Sequence, residues 1–162
     1  MENIQFDSGI RTYRINGDGA LRFNPGDPNV YARFLEAVEK LKKTEEELTR
    51  QAEQAKDAQI VELMTRADQQ MKEILNWVFG GSNDFGAILQ GVNLLAVADN
   101  GERVITNLFA ALEPVLVEGA KRCAGMLAAQ AKQHQKESHA VIKEGHFRTE
   151  AEAMKWVETI VR

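Results

Sequence analysis

The chain has 162 residues, 44% hydrophobic and 27% charged, with a formal net charge of -4 and a pI near 5.5. This length suffices for one domain with a core, or for a compact part plus a protruding helical arm. The acidic balance gives no general attraction to phosphate groups, which disfavours DNA or RNA as a partner.

A β element is predicted for residues 1–26. Two stretches of alternating apolar and polar residues, 10–15 and 20–23, flank the sequence Asn16-Gly17-Asp18-Gly19. This sequence is a strong reverse-turn signal, whereas a calcium loop would need a glycine where Leu21 stands. Two further apolar residues could supply a third strand, Ile4 and Phe6. Because an isolated hairpin is marginal in water, we expect the sheet to pack on a helix or on another subunit.

Helical structure is predicted from Pro28 onwards, with Asp27 as the N-cap. Apolar residues recur at spacings of three and four, as in the stripe Val30, Phe34, Val38 and Leu41. The stripe then thins among charged residues, which are typical of a solvated helix face, and thickens again from residue 60. The two parts differ in phase, which indicates a break near Asp57 or a stutter in one long helix. The sequence leaves open one long helix or a helical hairpin.

The most specific stretch spans residues 77–112, which we call the apolar knot. Glycines and Asn/Asp pairs divide it into short pieces, with turns predicted at residues 80–83 and at Asp99-Asn100-Gly101. Asn83 or Asp84 is predicted to cap a short helix that begins near Phe85. Four aromatic residues of this region either seal a small core or line a partner-binding groove: Trp77, Phe79, Phe85 and Phe109.

Another helix is predicted from Glu102 to about Gln135, and Pro114 within it predicts a kink or a new helix start. A last helix is predicted from Thr149, and its apolar side offers a second candidate docking stripe at Met154 and Trp156. The predicted fold is mainly α-helical with a small N-terminal β-hairpin. It comprises the β element 1–26, a helical core 27–120 and a helical extension 121–162, with a single compact domain as the alternative.

No motif predicts catalysis, a cofactor or a metal. The three histidines are spaced by five and seven residues in a polar stretch, where spacings of three or four would be needed to share a helical face: His134, His139 and His146. Phosphate-binding loops and nucleophile elbows are absent from the sequence. The sequence therefore favours a protein that binds another protein, and we predict neither an enzyme nor a cofactor or metal site.

A cytoplasmic location is expected. Cys123 is the single cysteine and cannot form an internal disulfide, which favours a reducing compartment. The N-terminus lacks the pattern of a secretory signal. The longest apolar zone, residues 85–98, is interrupted by polar residues and is shorter than the roughly 20 residues of a membrane span, so no membrane partner is predicted.

Several motifs occur here in a recognisable order within residues 3–120. After the β region come Tyr31-Ala32-Arg33-Phe34, a charged helix, Trp77-Val78-Phe79-Gly80, the turn at Asp99-Asn100-Gly101, and Asn107-Leu108-Phe109. Together they resemble the tail assembly chaperones of long-tailed (siphovirus-type) phages and prophages of Gram-positive bacteria. The resemblance rests on order and spacing, and residues 121–162 lie outside it.

The resemblance implies an assembly factor that works in the bacterial host cytoplasm and is absent from the finished virion. Such a chaperone coats the tape measure protein, keeps it soluble and recruits tail tube subunits. We expect a homo-oligomer with a chaperone-like core at residues 27–120. Two alternatives remain, a structural tail or connector component and a cytoplasmic helical adaptor unrelated to phage.

Overall fold

The computed structural model describes the backbone of residues 1–143 and the side chains of residues 1–138. It is mainly α-helical with an N-terminal β-hairpin, which confirms the predicted fold class. Its elements are β1 (Arg11–Ile15), β2 (Gly19–Phe23), α1 (Pro28–Ala52), α2 (Asp57–Phe79), α3 (Phe85–Ile88) and α4 (Val104–Lys143). The chain divides into two units, Met1–Ala120 and Lys121–Arg162.

The hairpin turns where the sequence predicts it. β1 and β2 pair antiparallel from Arg11 opposite Phe23 to Ile15 opposite Gly19, which leaves a loop of three residues. Asn16 and Gly17 have φ values of 49° and 91°, and Asn and Gly tolerate this left-handed region best. One face of the hairpin is apolar and packs on the helices, as expected for a two-stranded sheet.

The predicted third strand does not form. Residues 1–10 are neither helix nor strand, and Ile4 and Phe6 are 86% and 81% exposed. The side-chain amide of Asn24 donates a hydrogen bond of 3.0 Å to the carbonyl of Ser8. Gly9 follows with a φ of 70°. The chain is therefore held beside the end of β2 at Ser8, and residues 4–8 pair with neither strand of the sheet.

α1 and α2 form an antiparallel helical hairpin. Asp27 caps α1 by accepting a hydrogen bond of 2.9 Å from the amide of Asn29. Residues 53–56 separate the two helices, so the predicted break near Asp57 is confirmed and the alternative of one long helix is wrong. The buried stripe of α1 runs through Ala37, whereas Val38, predicted to be in the stripe, is exposed.

α4 continues through Pro114, so the predicted new helix start at this residue is wrong. Pro114 removes one backbone hydrogen bond, which destabilises a helix. Leu112 and Leu116 on either side of the proline are buried in the core, as is Leu108 one turn earlier. Their packing offsets the cost of the proline and keeps both flanks helical.

The core lies in the first unit. The hairpin, α1, α2 and the apolar knot, which includes α3 and the start of α4, contribute its buried apolar side chains. Within the second unit the described residues 121–143 are helical, and most of their side chains up to residue 138 are exposed. Cys123 is partly buried. Among the described residues, no helix has the length and apolar character needed to traverse a lipid bilayer.

Candidate protein-binding surfaces

A nearly buried ion pair on α2 holds the loop that follows α3. The carboxylate of Asp68 accepts a hydrogen bond of 2.8 Å from the backbone amide of Leu94 and another of 2.8 Å from the ammonium of Lys72. The side chains of Lys72 and Asp68 are only 12% and 11% exposed. Sequence reasoning missed this pair, because its spacing of four residues is shared with many solvated pairs. The available signal was its position next to Ala67, in the apolar stripe of α2.

The predicted turn at Asp99-Asn100-Gly101 forms within the knot, just before the start of α4. The amide of Gly101, at a φ of 84°, donates to the carbonyl of Ala98. Carbonyl groups of the knot accept hydrogen bonds from the first amides of α4, Val104 to Ala96 and Ile105 to Leu94, both at 2.9 Å. These bonds satisfy donors that every helix start leaves unpaired. The knot thus fixes where α4 begins.

The short helix α3 begins at Phe85, and its predicted cap is confirmed. Asp84 accepts a hydrogen bond of 2.9 Å from the amide of Gly86. Asn83 instead joins this loop to the hairpin, because its side-chain amide exchanges hydrogen bonds of 2.9 and 2.7 Å with the backbone of Arg22. A polar turn therefore orients the knot on the β element.

Phe79, Phe85 and Phe109 pack inside the first unit. Phe79 and Phe85 are 6% and 0% exposed, and their ring centroids lie 5.6 Å apart. Phe109 is partly buried, 5.4 Å from the ring of Phe34 in an edge-on contact. Of the two interpretations weighed for these residues, a core role describes Phe79 and Phe85. Neither presents its ring to a partner in this conformation.

Trp77 differs from these phenylalanines because its side chain is 42% exposed near the end of α2. The ammonium of Lys40 on α1 lies 4.1 Å from the centre of the indole ring, a cation–π contact. Lys40 also pairs with Glu36 at 3.2 Å. The indole is thus an exposed aromatic surface bordered by charged groups, and tryptophan is enriched among the residues that dominate binding energy at protein interfaces.

A hydrogen bond from α1 holds the end of α2 that carries Trp77. The guanidinium of Arg33 donates a hydrogen bond of 2.9 Å to the carbonyl of Val78. This places a positive charge at the C-terminus of α2, where the helix dipole favours cations. The last turn of α2 contains no basic residue of its own. Arg33 therefore stabilises the turn from which the indole projects.

Further apolar side chains reach solvent on other faces of the first unit. Leu35 and Val38 are three residues apart on α1 and adjoin each other on the helix surface. Val92 and Val97 are exposed in the loops of the knot. Met154 and Trp156, the second predicted docking stripe, lie outside the described residues.

No protein family, characterised protein or solved structure matches this chain. The function must therefore be inferred from the chain itself, above all from the apolar side chains that reach solvent and from the charges around them.

Four of the five ion pairs in the described region join side chains that are largely exposed to solvent. The hydrogen bond from Arg50 lowers the pKa of Glu47, and the same contact raises the pKa of Arg50. Both side chains are exposed to solvent, Arg50 by 69% and Glu47 by 50%. Within the part of the chain that the structure describes, no three His, Cys, Asp or Glu side chains are grouped to hold a metal ion. His134 is partly buried, and the side chains of His139 and His146 lie outside the described residues.

Proposed function

We propose that this protein is a tail assembly chaperone of a long-tailed phage or prophage, acting in the bacterial host cytoplasm. It would bind the tape measure protein, keep it soluble and recruit tail tube subunits. The order of motifs across residues 3–120 supports this proposal. The helical hairpin, with apolar side chains at its surface between charged ones, supports a protein-binding role.

The observation that carries the proposal is the exposure of Trp77 on an ordered helix. Tryptophan is the residue type most enriched among those that dominate binding energy, because it buries a large area at little entropic cost. A client helix that laid its apolar face on the indole would place its polar flanks near Lys40 and Glu36. The remaining charged surface of α1 would keep the complex in solution.

Tail tube subunits must displace the chaperone as the tube grows, so each chaperone–client contact has to be of modest affinity. A contact that centres on one tryptophan fits this requirement. Many copies, acting together as an oligomer on one long client, then supply the avidity that a single contact lacks.

Co-expression with a tape measure fragment tests the proposal. Wild-type protein should raise the soluble fraction of the fragment, and Trp77→Ala should weaken binding by about tenfold or more through loss of a large apolar contact. Val61→Ala is the matched control, because Val61 is an exposed apolar residue of the same helix. Circular dichroism would verify that both variants keep the wild-type fold.

Unchanged aggregation of the fragment with wild-type protein would refute the proposal, and full solubilisation by Trp77→Ala would exclude Trp77 as the contact. Mass spectrometry of purified virions adds a second criterion. A chaperone should be absent from the particle, whereas its presence would indicate a structural tail or connector component.

A further inference from the structure

The first eight residues, which we call the N-terminal arm, expose apolar side chains that have no contact with the core. Ile4 and Phe6 are almost fully exposed, and no hydrogen bond joins residues 1–6 to the rest of the described chain. Exposure of two large apolar side chains to water has a free-energy cost that grows with the apolar area left unburied. Such a segment is stabilised when it finds an apolar site elsewhere.

The root of the arm, unlike its tip, is fixed. The amide of Gly9 donates a hydrogen bond of 2.8 Å to the carboxylate of Asp7, and the carbonyl of Ser8 accepts one from Asn24. Asn24 is itself held by the amide of Gly26 at 2.7 Å. A Cβ atom at Gly9 would lie 2.7 Å from the Asn24 amide nitrogen, so the chain passes close to this side chain. These contacts hold the base of the arm against Asn24, the residue that follows β2.

β1 offers an open strand edge. Its backbone pairs with β2 on one side, and no other described residue forms a backbone hydrogen bond with it. Open edges of this kind readily accept an added strand. A groove of about 330 Å³ lies between this strand and the first turns of α4. Its lining includes apolar side chains and one arginine: Ile15, Leu89, Val104, Leu108, Leu112 and Arg14.

The arm and this edge match in polarity and in charge. Tyr13 and Ile15 of β1 face the core while Thr12 and Arg14 face solvent, and in the arm Ile4 and Phe6 likewise alternate with Gln5 and Asp7. The arm carries two carboxylates, Glu2 and Asp7. The hairpin carries three exposed arginines that form no ion pair with any described residue: Arg11, Arg14 and Arg22.

We propose that the N-terminal arm of one copy adds as a strand to the β1 edge of a second copy, with Ile4 and Phe6 over the groove beside α4. Each chain supplies one arm and one edge, so a second copy satisfies both. Self-association by this route involves neither Trp77 nor the client, and it stands whether or not the chaperone proposal holds.

Analytical ultracentrifugation over a concentration series tests this arrangement. Wild-type protein should self-associate, and the double variant Ile4→Ser/Phe6→Ser should raise the dissociation constant by about tenfold or more, because two apolar side chains no longer become buried. Both residues lie outside the core, so the monomer should keep its stability. Met126→Ser/Leu127→Ser is the matched control, since it removes two adjacent, similarly exposed apolar side chains and should leave the dissociation constant unchanged.

Amide hydrogen exchange identifies the acceptor. The outward amides of β1 should gain protection as the wild-type concentration rises and should lose it in the arm variant. Wild-type protein that stays monomeric would overturn the proposal, as would equal effects of the arm and control variants. Protection of β1 that does not depend on concentration would show that the arm folds back on its own chain, and this too would overturn it.

Discussion

Asp68 determines how firmly the loop around Leu94 is attached to α2. Its carboxylate compensates the nearly buried charge of Lys72 and also satisfies the amide of Leu94. Asp68→Ala would leave both groups without this partner in a poorly hydrated place. We expect a loss of about 3 to 5 kcal/mol in the free energy of unfolding, measured by urea denaturation. Asp68→Asn should cost less, because its side-chain carbonyl can still accept from Leu94.

Glu62→Ala provides the control for this prediction. Glu62 pairs with Arg66 on the same helix and at the same spacing of four residues, but the side chains of Arg66 and Glu62 are 69% and 63% exposed. Exposed pairs contribute at most about 1 kcal/mol. Equal losses for Asp68→Ala and Glu62→Ala would show that burial of the Asp68 pair adds nothing.

At the scale of elements, the position of α4 depends on a close backbone contact at Gly119. A Cβ atom there would lie 1.7 Å from the carbonyl oxygen of Pro25, whereas one at Gly125 would meet nothing within 4 Å. Replacing either glycine by alanine raises helix propensity by about 1 kcal/mol. Gly125→Ala should therefore raise the melting temperature.

Gly119→Ala should lower the melting temperature despite the same gain in propensity. Its methyl group would force α4 away from the segment before α1, and overpacking of this kind costs about 1 to 3 kcal/mol. Thermal unfolding followed by circular dichroism compares the two variants directly. Similar melting temperatures would mean that α4 moves aside at no cost.

Elements whose ends depend on adjacent residues could be predicted from the sequence. The Asn16-Gly17 turn follows from two residue types that tolerate a positive φ. The start of α1 at Asp27 and the cap of α3 at Asp84 follow from side chains that accept a hydrogen bond from a nearby backbone amide. Features that depend on distant residues could not. The continuity of α4 through Pro114 depends on leucines packed against other elements, and the missing third strand depends on Asn24.

The sequence predicts the candidate surfaces only in part, because the burial of each side chain depends on residues that are distant in the sequence. An aromatic-rich knot is visible in the sequence, but the sequence does not reveal which rings face inward. Trp77 is exposed whereas Phe79, two residues later, is buried. That part of α2 has the core on one side and Lys40 with solvent on the other. The sequence predicts a third strand at Ile4 and Phe6, because their alternation is as typical of a strand within the same sheet as of one that adds to another chain.

At the scale of the whole molecule, the two proposals assign separate tasks to separate surfaces. Trp77 would contact the client, and the N-terminal arm would join copies of the chaperone. Linked sites on one long client raise the apparent affinity by factors of about 10² to 10⁴ over a single contact. Loss of the arm should therefore weaken binding to a long client although every Trp77 remains intact.

This coupling predicts different outcomes for clients of different length. The Ile4→Ser/Phe6→Ser variant should bind a short tape measure peptide, which has one contact site, as tightly as wild type does. It should bind a fragment with several sites at least about tenfold more weakly than wild type. Trp77→Ala should weaken both interactions, because it removes the contact itself. Fluorescence anisotropy with labelled peptide and fragment measures all six affinities, those of wild type and of the two variants for each ligand. If the arm variant bound the long fragment as tightly as wild type, client binding would not depend on the linkage of copies through the arm.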